Sequence, residues 1–345
     1  MLVAFYHFNG TFHFPVFSSV QIIGTFWLMV DLFFVLSGFV IVYNYKDKLP
    51  DSSKLGNFYI RRIGRLYPLF FVTTLFFFLE PLLELVQGSG GDVPFTLSWS
   101  EAFAYFFMFQ GFGFTDRGLL NYASWSIGVE VQLYIIFSLF IILRSTMFIV
   151  KKYDLIILAL MSVLSLLFIY LKYGTIEVMY EAGLARGIMS FSLGSIIALL
   201  TERFRTLPKT FGNISAPIVI VAIISLLLLR SEEGYFLLPY LFGFLVFILV
   251  FCPESFINKA LEFKPLIFLG TISYSLYLNH PILIKITSKF FRMQNPSVMM
   301  QVMVTMAYLI ILIVMSKITF ELIEQPFIKL FNRKFKTPVV QNAAV

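Results

Sequence analysis

The sequence predicts an all-α, polytopic transmembrane helix bundle of about ten spans, and three observations carry that reading. The 345 residues are 59% hydrophobic and only 13% charged, whereas soluble domains are about a quarter charged. The apolar residues, 43 phenylalanines among them, come in runs long enough to cross a hydrocarbon core of roughly 30 Å. The 26 lysines and arginines collect in short hydrophilic gaps between those runs. The net charge of +7 therefore reads as topology determination and not as nucleic-acid binding. A single cysteine, Cys252, excludes an internal disulfide and a cysteine-built metal site. The three histidines, His7, His13 and His280, show no ligand spacing, so no metal is expected.

Taken in order, the spans are read at 1–9, 25–43, 66–86, 125–143, 155–171, 186–200, 214–230, 235–252, 266–285 and 299–319. The gap 44–65 holds Lys46, Lys48, Lys54, Arg61, Arg62 and Arg65, so it is placed on the cytoplasmic side. With that choice the gaps 144–154, 201–213 and 253–265 and the tail, with Lys329, Arg333, Lys334 and Lys336, are also cytoplasmic and basic. Glu84, Asp92, Glu177, Glu181, Glu232 and Glu233 fall outside. Only 286–298, with Lys289 and Arg292, runs against the pattern. A crossing at 98–114 would reverse every later gap, so this stretch is expected to be re-entrant or interfacial on the outer side. The first span is shorter than the ~20 residues a crossing helix needs, and the expectation is a chain that starts inside its first helix, with no cleavable signal peptide. Residues 1–330 are read as one membrane domain and 331–345 as a short cytoplasmic tail.

An ionisable side chain at mid-bilayer costs at least ~2.5–3.5 kcal/mol on insertion scales, so each one is a functional candidate. His7 sits in Ala4-Phe5-Tyr6-His7-Phe8, where a neutral imidazole can serve as general base or as a packing hydrogen bonder. Asp31 lies in the run DLFFVLSGF, where it can orient a histidine or pair with an arginine. The Ser37-Gly38 pair that follows permits close helix approach. Arg62 and Arg65 share a face if their stretch is helical. They then either converge on a phosphate or anchor the helix at the membrane surface. Glu130 and Gln132 lie near a helix start behind Trp125, which suits an interfacial belt. Ser273, Tyr277 and His280 recur about one turn apart on a shared face, and Glu321 and Glu324 close the last span.

These segments resemble, in content and in order, the membrane-bound acyltransferase family 3, whose members include O-acetyltransferases of lipopolysaccharide, exopolysaccharide and other glycans. The resemblance runs from the first-helix histidine through DLFFVLSGF, RRIGRLYP, WSIGVEVQLY and ISYSLYLNHP to FELIEQP, residues 1 to about 328. It implies that His7 is the catalytic histidine and that Arg62 and Arg65 form a donor-associated pair, in a loop at the mouth of the next helix. It further implies that Ser37, Glu130, Tyr277 and His280 belong to the shared core. With the residue readings above, the candidates are His7, Asp31, Glu130 and His280 for catalysis and Arg62 and Arg65 for acyl-CoA. Ser37, Trp125, Ser273 and Tyr277 are candidates for the oxyanion or the acceptor.

The implied activity is O-acyl transfer, with acetyl as the expected group, onto a hydroxyl of a cell-surface glycan or its lipid-linked precursor. Acetyl-CoA or another acyl-CoA is a co-substrate and no cofactor is held. The partners are the donor, the saccharide acceptor and the lipid bilayer of a bacterial inner membrane. The rival reading is a polytopic transporter or flippase, in which Asp31, Glu130 and Arg186 line a substrate or proton path. Its paired, broken helices have no counterpart in an internal repeat.

Overall fold

The computed structural model describes residues 1–49, 51–86, 98–112, 120–290 and 296–334, with the backbone alone at 52–53, 81–86, 112 and 334. Asp92, Arg292 and Lys336 lie outside the described residues. So do 113–114 of the ambiguous stretch and most of the tail. The described residues are helical, without strands. Among the described residues eight helices are long and apolar enough to cross a membrane, and a bent pair makes a ninth. The chain is therefore a multi-pass integral membrane protein.

The first segment, Leu2–Phe12 (α1), is 11 residues long. Next, Gln21–Tyr45 (α2) enters as a tight 3-10 turn over Gln21–Leu28 and relaxes into an α-helix over Met29–Tyr45. Ser52–Val86 (α3) runs for 35 residues, roughly 50 Å at about 1.5 Å per residue. It begins well before the span expected at 66–86. Arg61, Arg62 and Arg65 are consequently helical, a correction to their placement in a loop: no glycine or proline between Lys54 and Pro68 is positioned to stop the helix, and Gly64 is accommodated inside it.

Trp99–Phe107 (α4) is a nine-residue helix opened by a capping box, in which Ser98 and Glu101 satisfy each other's backbone N–H groups. At nine residues it is too short to cross the bilayer. The remaining spans are Tyr122–Thr146 (α5), Asp154–Tyr173 (α6), Gly183–Leu200 (α7), Lys209–Leu229 (α8) and Glu232–Phe251 (α9). The single span expected at 266–285 is the bent pair Lys264–Thr271 (α10) and Ser273–Phe290 (α11), which meet at 67°. Val298–Thr319 (α12) passes through one π turn, Phe320–Glu324, into Gln325–Lys334 (α13), which packs on α3.

Helix α7 is the axis of the bundle and packs on α2, α5, α6 and α9. Its most apolar window is 67% buried, against 22% for α6 and α12, which turn most of their surface to lipid. The crossing of α7 with α2 is made by two glycines: a β-carbon on Gly38 would run into the Phe191 carbonyl, and one on Gly194 into the Val35 carbonyl. The small Ser37-Gly38 pair thus does what its composition suggests, with Gly194 as its counterpart. Because backbone would have to yield, Gly194→Ala is expected to destabilise by about 1–3 kcal/mol or more. An unchanged thermal unfolding midpoint in detergent would contradict this crossing.

One end of the bundle is tied by ions. Arg144, at the end of α5, donates from Nε to Asp154 (2.9 Å) and from a terminal nitrogen to Glu202 (2.7 Å). Glu202 also pairs with Lys46 at 3.1 Å, and Arg203 pairs with Asp154. Burial pushes the Glu202 carboxyl up, but Lys46 and Arg144 outweigh it and hold the group below its ordinary value. A depressed folded-state pKa means stabilisation present above the unfolded value, ~4.3, and lost as pH falls through the folded one. The midpoint of the intact protein should therefore drop further between about pH 5 and pH 3 than that of Glu202→Gln. Parallel curves would contradict this linkage.

Candidate active site

Two adjoining cavities occupy the interior where α1, α2, α5 and α11 meet. The larger, about 460 Å³, is lined by Ser37, Arg62, Arg65, Glu130, Ser273, Tyr277 and His280 among mostly aliphatic neighbours. The smaller, about 180 Å³, is lined by His7, Trp125 and Tyr277 with Tyr6, Trp27, Tyr122, Tyr180 and Arg186. Val3, Val30 and Tyr277 border both. Nine of the ten residues singled out from the sequence thus line one cavity or the other. Asp31 is the exception.

The histidines meet at this boundary. Their rings stack at 5.3 Å with 20° between planes, and Tyr122 lies 4.8 Å from His7 and 6.0 Å from His280, centroid to centroid. Helix α1 brings His7 there by packing on α11. The state of His280 follows from its neighbour in sequence. Pro281, inside α11, has no N–H to give to the carbonyl four residues back, which belongs to Tyr277. His280 Nδ1 lies 2.6 Å from that freed oxygen. A carbonyl only accepts, so Nδ1 carries the proton and Nε2 keeps the lone pair. His280 is fully buried, and Nε2 has no hydrogen-bond partner among the described residues. The imidazole is thus held as one tautomer, with Nε2 left as an open acceptor.

The arginines lie toward the other end of the larger cavity. Along α2 its lining runs from Met29 to Ile41, about 18 Å of helix. The boundary residue Val30 sits at one end of that stretch. Arg62 lies beyond the other end, donating to the Tyr45 hydroxyl at 3.2 Å and resting over the Tyr45 and Tyr134 rings. Arg62 Nε is buried without a partner among the described residues, and Arg65 hydrogen-bonds to none of them. Glu130 stands between the two ends. One of its oxygens accepts from Ser37 (2.8 Å) and from the Tyr134 hydroxyl, while the other is buried without a partner among the described residues. Unfilled guanidinium donors at the mouth of a long apolar cavity fit an anionic head carrying a flexible arm.

Asp31 takes the second of its two readings. It accepts from Arg186 Nε at 3.0 and 3.2 Å and from a terminal guanidinium nitrogen at 2.6 Å, with Ser190 adding a bond at 3.2 Å. Arg186 lies between Trp27 and Trp125, 4.8 and 5.6 Å from their ring centres. Trp125 is thus buried in the bundle, a correction to its expected place in an interfacial belt, because the desolvated guanidinium needs aromatic faces. Sequence reasoning treated Arg186 only as a transport-path residue and passed over Trp27, Tyr122 and Tyr180. The signal for Arg186 was present: a second intramembrane charge requires an opposite partner, and Asp31 is available.

A family model described as an acyltransferase domain matches residues 1–317. Among curated proteins, the chain is 27% identical over 323 residues to the peptidoglycan O-acetyltransferase OatA of Listeria monocytogenes, covering 87% of this chain and 51% of that one. It is 29% identical to the putative peptidoglycan O-acetyltransferase YrhL of Bacillus subtilis, covering 86% and 50%. To the O-acetyltransferase OatA of Staphylococcus aureus it is 26% identical, covering 88% and 53%. The chain spans about half the length of these relatives. No solved structure matches it. Because the family model covers most of its length, the chain belongs to the acyltransferase 3 family.

Proposed function

We propose that this protein is a membrane-bound O-acyltransferase that takes an acyl group from acyl-CoA on the cytoplasmic side and passes it to a hydroxyl of a cell-surface glycan or its lipid-linked precursor. The observation that carries the reading is the His7–His280 stack at the junction of an arginine-headed cavity and an aromatic one. The CoA phosphates meet Arg62 and Arg65, and the pantetheine arm lies along α2 with its thioester at the histidines. His7 imidazole removes the acceptor hydroxyl proton as that oxygen attacks the thioester carbonyl. The C–S bond then breaks, and the CoA thiolate leaves with the proton returned by the imidazolium. The hydroxyl groups of Tyr277 and Ser126, joined at 2.8 Å, are nearby donors for the developing oxyanion. A route through an acyl-histidine uses the same groups in two steps.

The relatives named O-acetyltransferase support acetyl as the group carried. Those named peptidoglycan O-acetyltransferase favour a cell-wall glycan over lipopolysaccharide as acceptor. The positive-inside pattern supports a bacterial cytoplasmic membrane with the C-terminus inside. The loop 174–182, with Glu177 and Glu181, then faces out above the smaller cavity, to which it contributes Met179 and Tyr180. Donor and acceptor approach from opposite sides.

Arg65→Lys is expected to raise the KM for acetyl-CoA at least about tenfold, because an ammonium cannot reproduce a planar two-pronged contact with phosphate. Steady-state kinetics in membranes checks it. An unchanged KM and rate would assign Arg65 to anchoring the helix.

A further inference from the structure

The smaller cavity has a composition that its catalytic histidine does not explain. Among the described residues, seven of its eleven lining residues carry rings, and one of the eleven, Arg186, is charged. That charge is already neutralised by Asp31, so the cavity offers no net charge for an ionic ligand. Tyr180, Tyr277 and Arg186 are already bonded, but the hydroxyls of Tyr6 and Tyr122 and both nitrogens of His7 hydrogen-bond to no described residue. At about 180 Å³ it falls below the ~300 Å³ lower bound for drug-sized ligands, leaving room for a single ring and not for a chain. An apolar surface interleaved with a few free hydroxyl and imidazole groups matches a neutral pyranose. The C–H face of such a ring carries partial positive charge and is drawn to the negative face of an aromatic ring, and its edge is a fringe of hydroxyls.

Resting on the acyl-transfer reading above, we propose that this cavity is the acceptor subsite. It holds one neutral sugar ring of the glycan among Trp27, Tyr122, Trp125 and Tyr180, with one hydroxyl turned to His7. Tyr122 is the specificity-determining ring, since it lies 4.8 Å from His7 and so sets which edge of the sugar meets the base. Loop residues Met179 and Tyr180 form the side from which the glycan enters.

The chain supplies its own reporter. Of its three tryptophans, Trp27 and Trp125 line this cavity, while Trp99 is 93% exposed and lines neither. The experiment titrates the purified full chain carrying Trp99→Phe, in detergent, with the neutral β-1,4-linked disaccharide of N-acetylglucosamine while tryptophan emission is recorded. Choline, hexanol and free CoA are titrated in parallel. Saturable change with the disaccharide is expected, weakened about tenfold by Tyr122→Leu, with the acceptor KM raised in step and the acetyl-CoA KM unmoved. Met179→Phe, which narrows the entrance without touching the histidines, should weaken the disaccharide in the same way, so misfolding of one variant does not decide the matter. A saturable signal from choline, hexanol or CoA without one from the disaccharide would overturn the proposal in favour of a cation, acyl or donor site. Sugar binding without any acyl transfer would keep the subsite and overturn the acyl-transfer reading. Transfer without a sugar signal, and with the acceptor KM unmoved by both variants, would overturn the subsite alone.

Discussion

Replacing His7 by alanine is expected to lower acyl transfer by about 10²–10⁴-fold, the usual contribution of a positioned general base, while the protein still inserts and folds. His7 is half-buried on a short helix and its ring is stacked on His280 without a described hydrogen bond. Removing it should therefore disturb reactivity more than packing. His280→Ala should also be severe, but for a different reason, because it empties a fully buried site and leaves the Tyr277 carbonyl without its donor. His280→Asn separates the two contributions: its amide can still donate to that carbonyl but offers no basic nitrogen. Transfer is measured with labelled acetyl-CoA and folding by thermal unfolding in detergent. A folded His7→Ala protein with undiminished transfer would remove His7 from the chemistry.

Asp31→Asn is expected to destabilise the bundle by about 3–5 kcal/mol, the cost of leaving one member of a buried ion pair unpaired. Both side chains are almost wholly enclosed, at 0% and 1% exposure, and an arginine does not shed its proton to escape the penalty. The double variant Asp31→Leu/Arg186→Met should recover most of the loss, since an apolar pair of similar volume is often neutral or better. Thermal unfolding of the three proteins measures the cycle. A single variant as stable as the parent would show that Asp31 does not neutralise Arg186, and would reopen the reading in which it orients a histidine.

Much of the architecture was legible because a bilayer forces it: backbone polar groups must be satisfied within each segment, so apolar runs become helices. Less legible were the ends. Nothing in the hydropathy of 44–65 distinguishes a basic loop from a basic helix projecting beyond the membrane, and α3 starts in the middle of that gap. The bend between α10 and α11 was equally hidden, because neither a proline nor a charge marks the break at Ile272. At the site, residues that interrupt apolar helices could be found one by one, since each is costly in lipid. Their grouping could not. Asp31 and Arg186 are 155 residues apart in sequence, and the four tyrosines of the aromatic wall are lost among 17 in the chain. The pairing of Pro281 with His280 was readable in principle: a proline in a helix frees the carbonyl of Tyr277, one turn back, and His280 lies within reach of it.

The most direct test of the central claim uses sealed, inside-out membrane vesicles containing the intact chain or its His7→Ala variant, supplied with radiolabelled acetyl-CoA from outside. The account predicts label in an extracted glycan fraction with the intact chain, loss of that label with His7→Ala, and none in right-side-out vesicles, where the donor cannot reach Arg62 and Arg65. Equal labelling by the variant, or labelling in right-side-out vesicles alone, would contradict it.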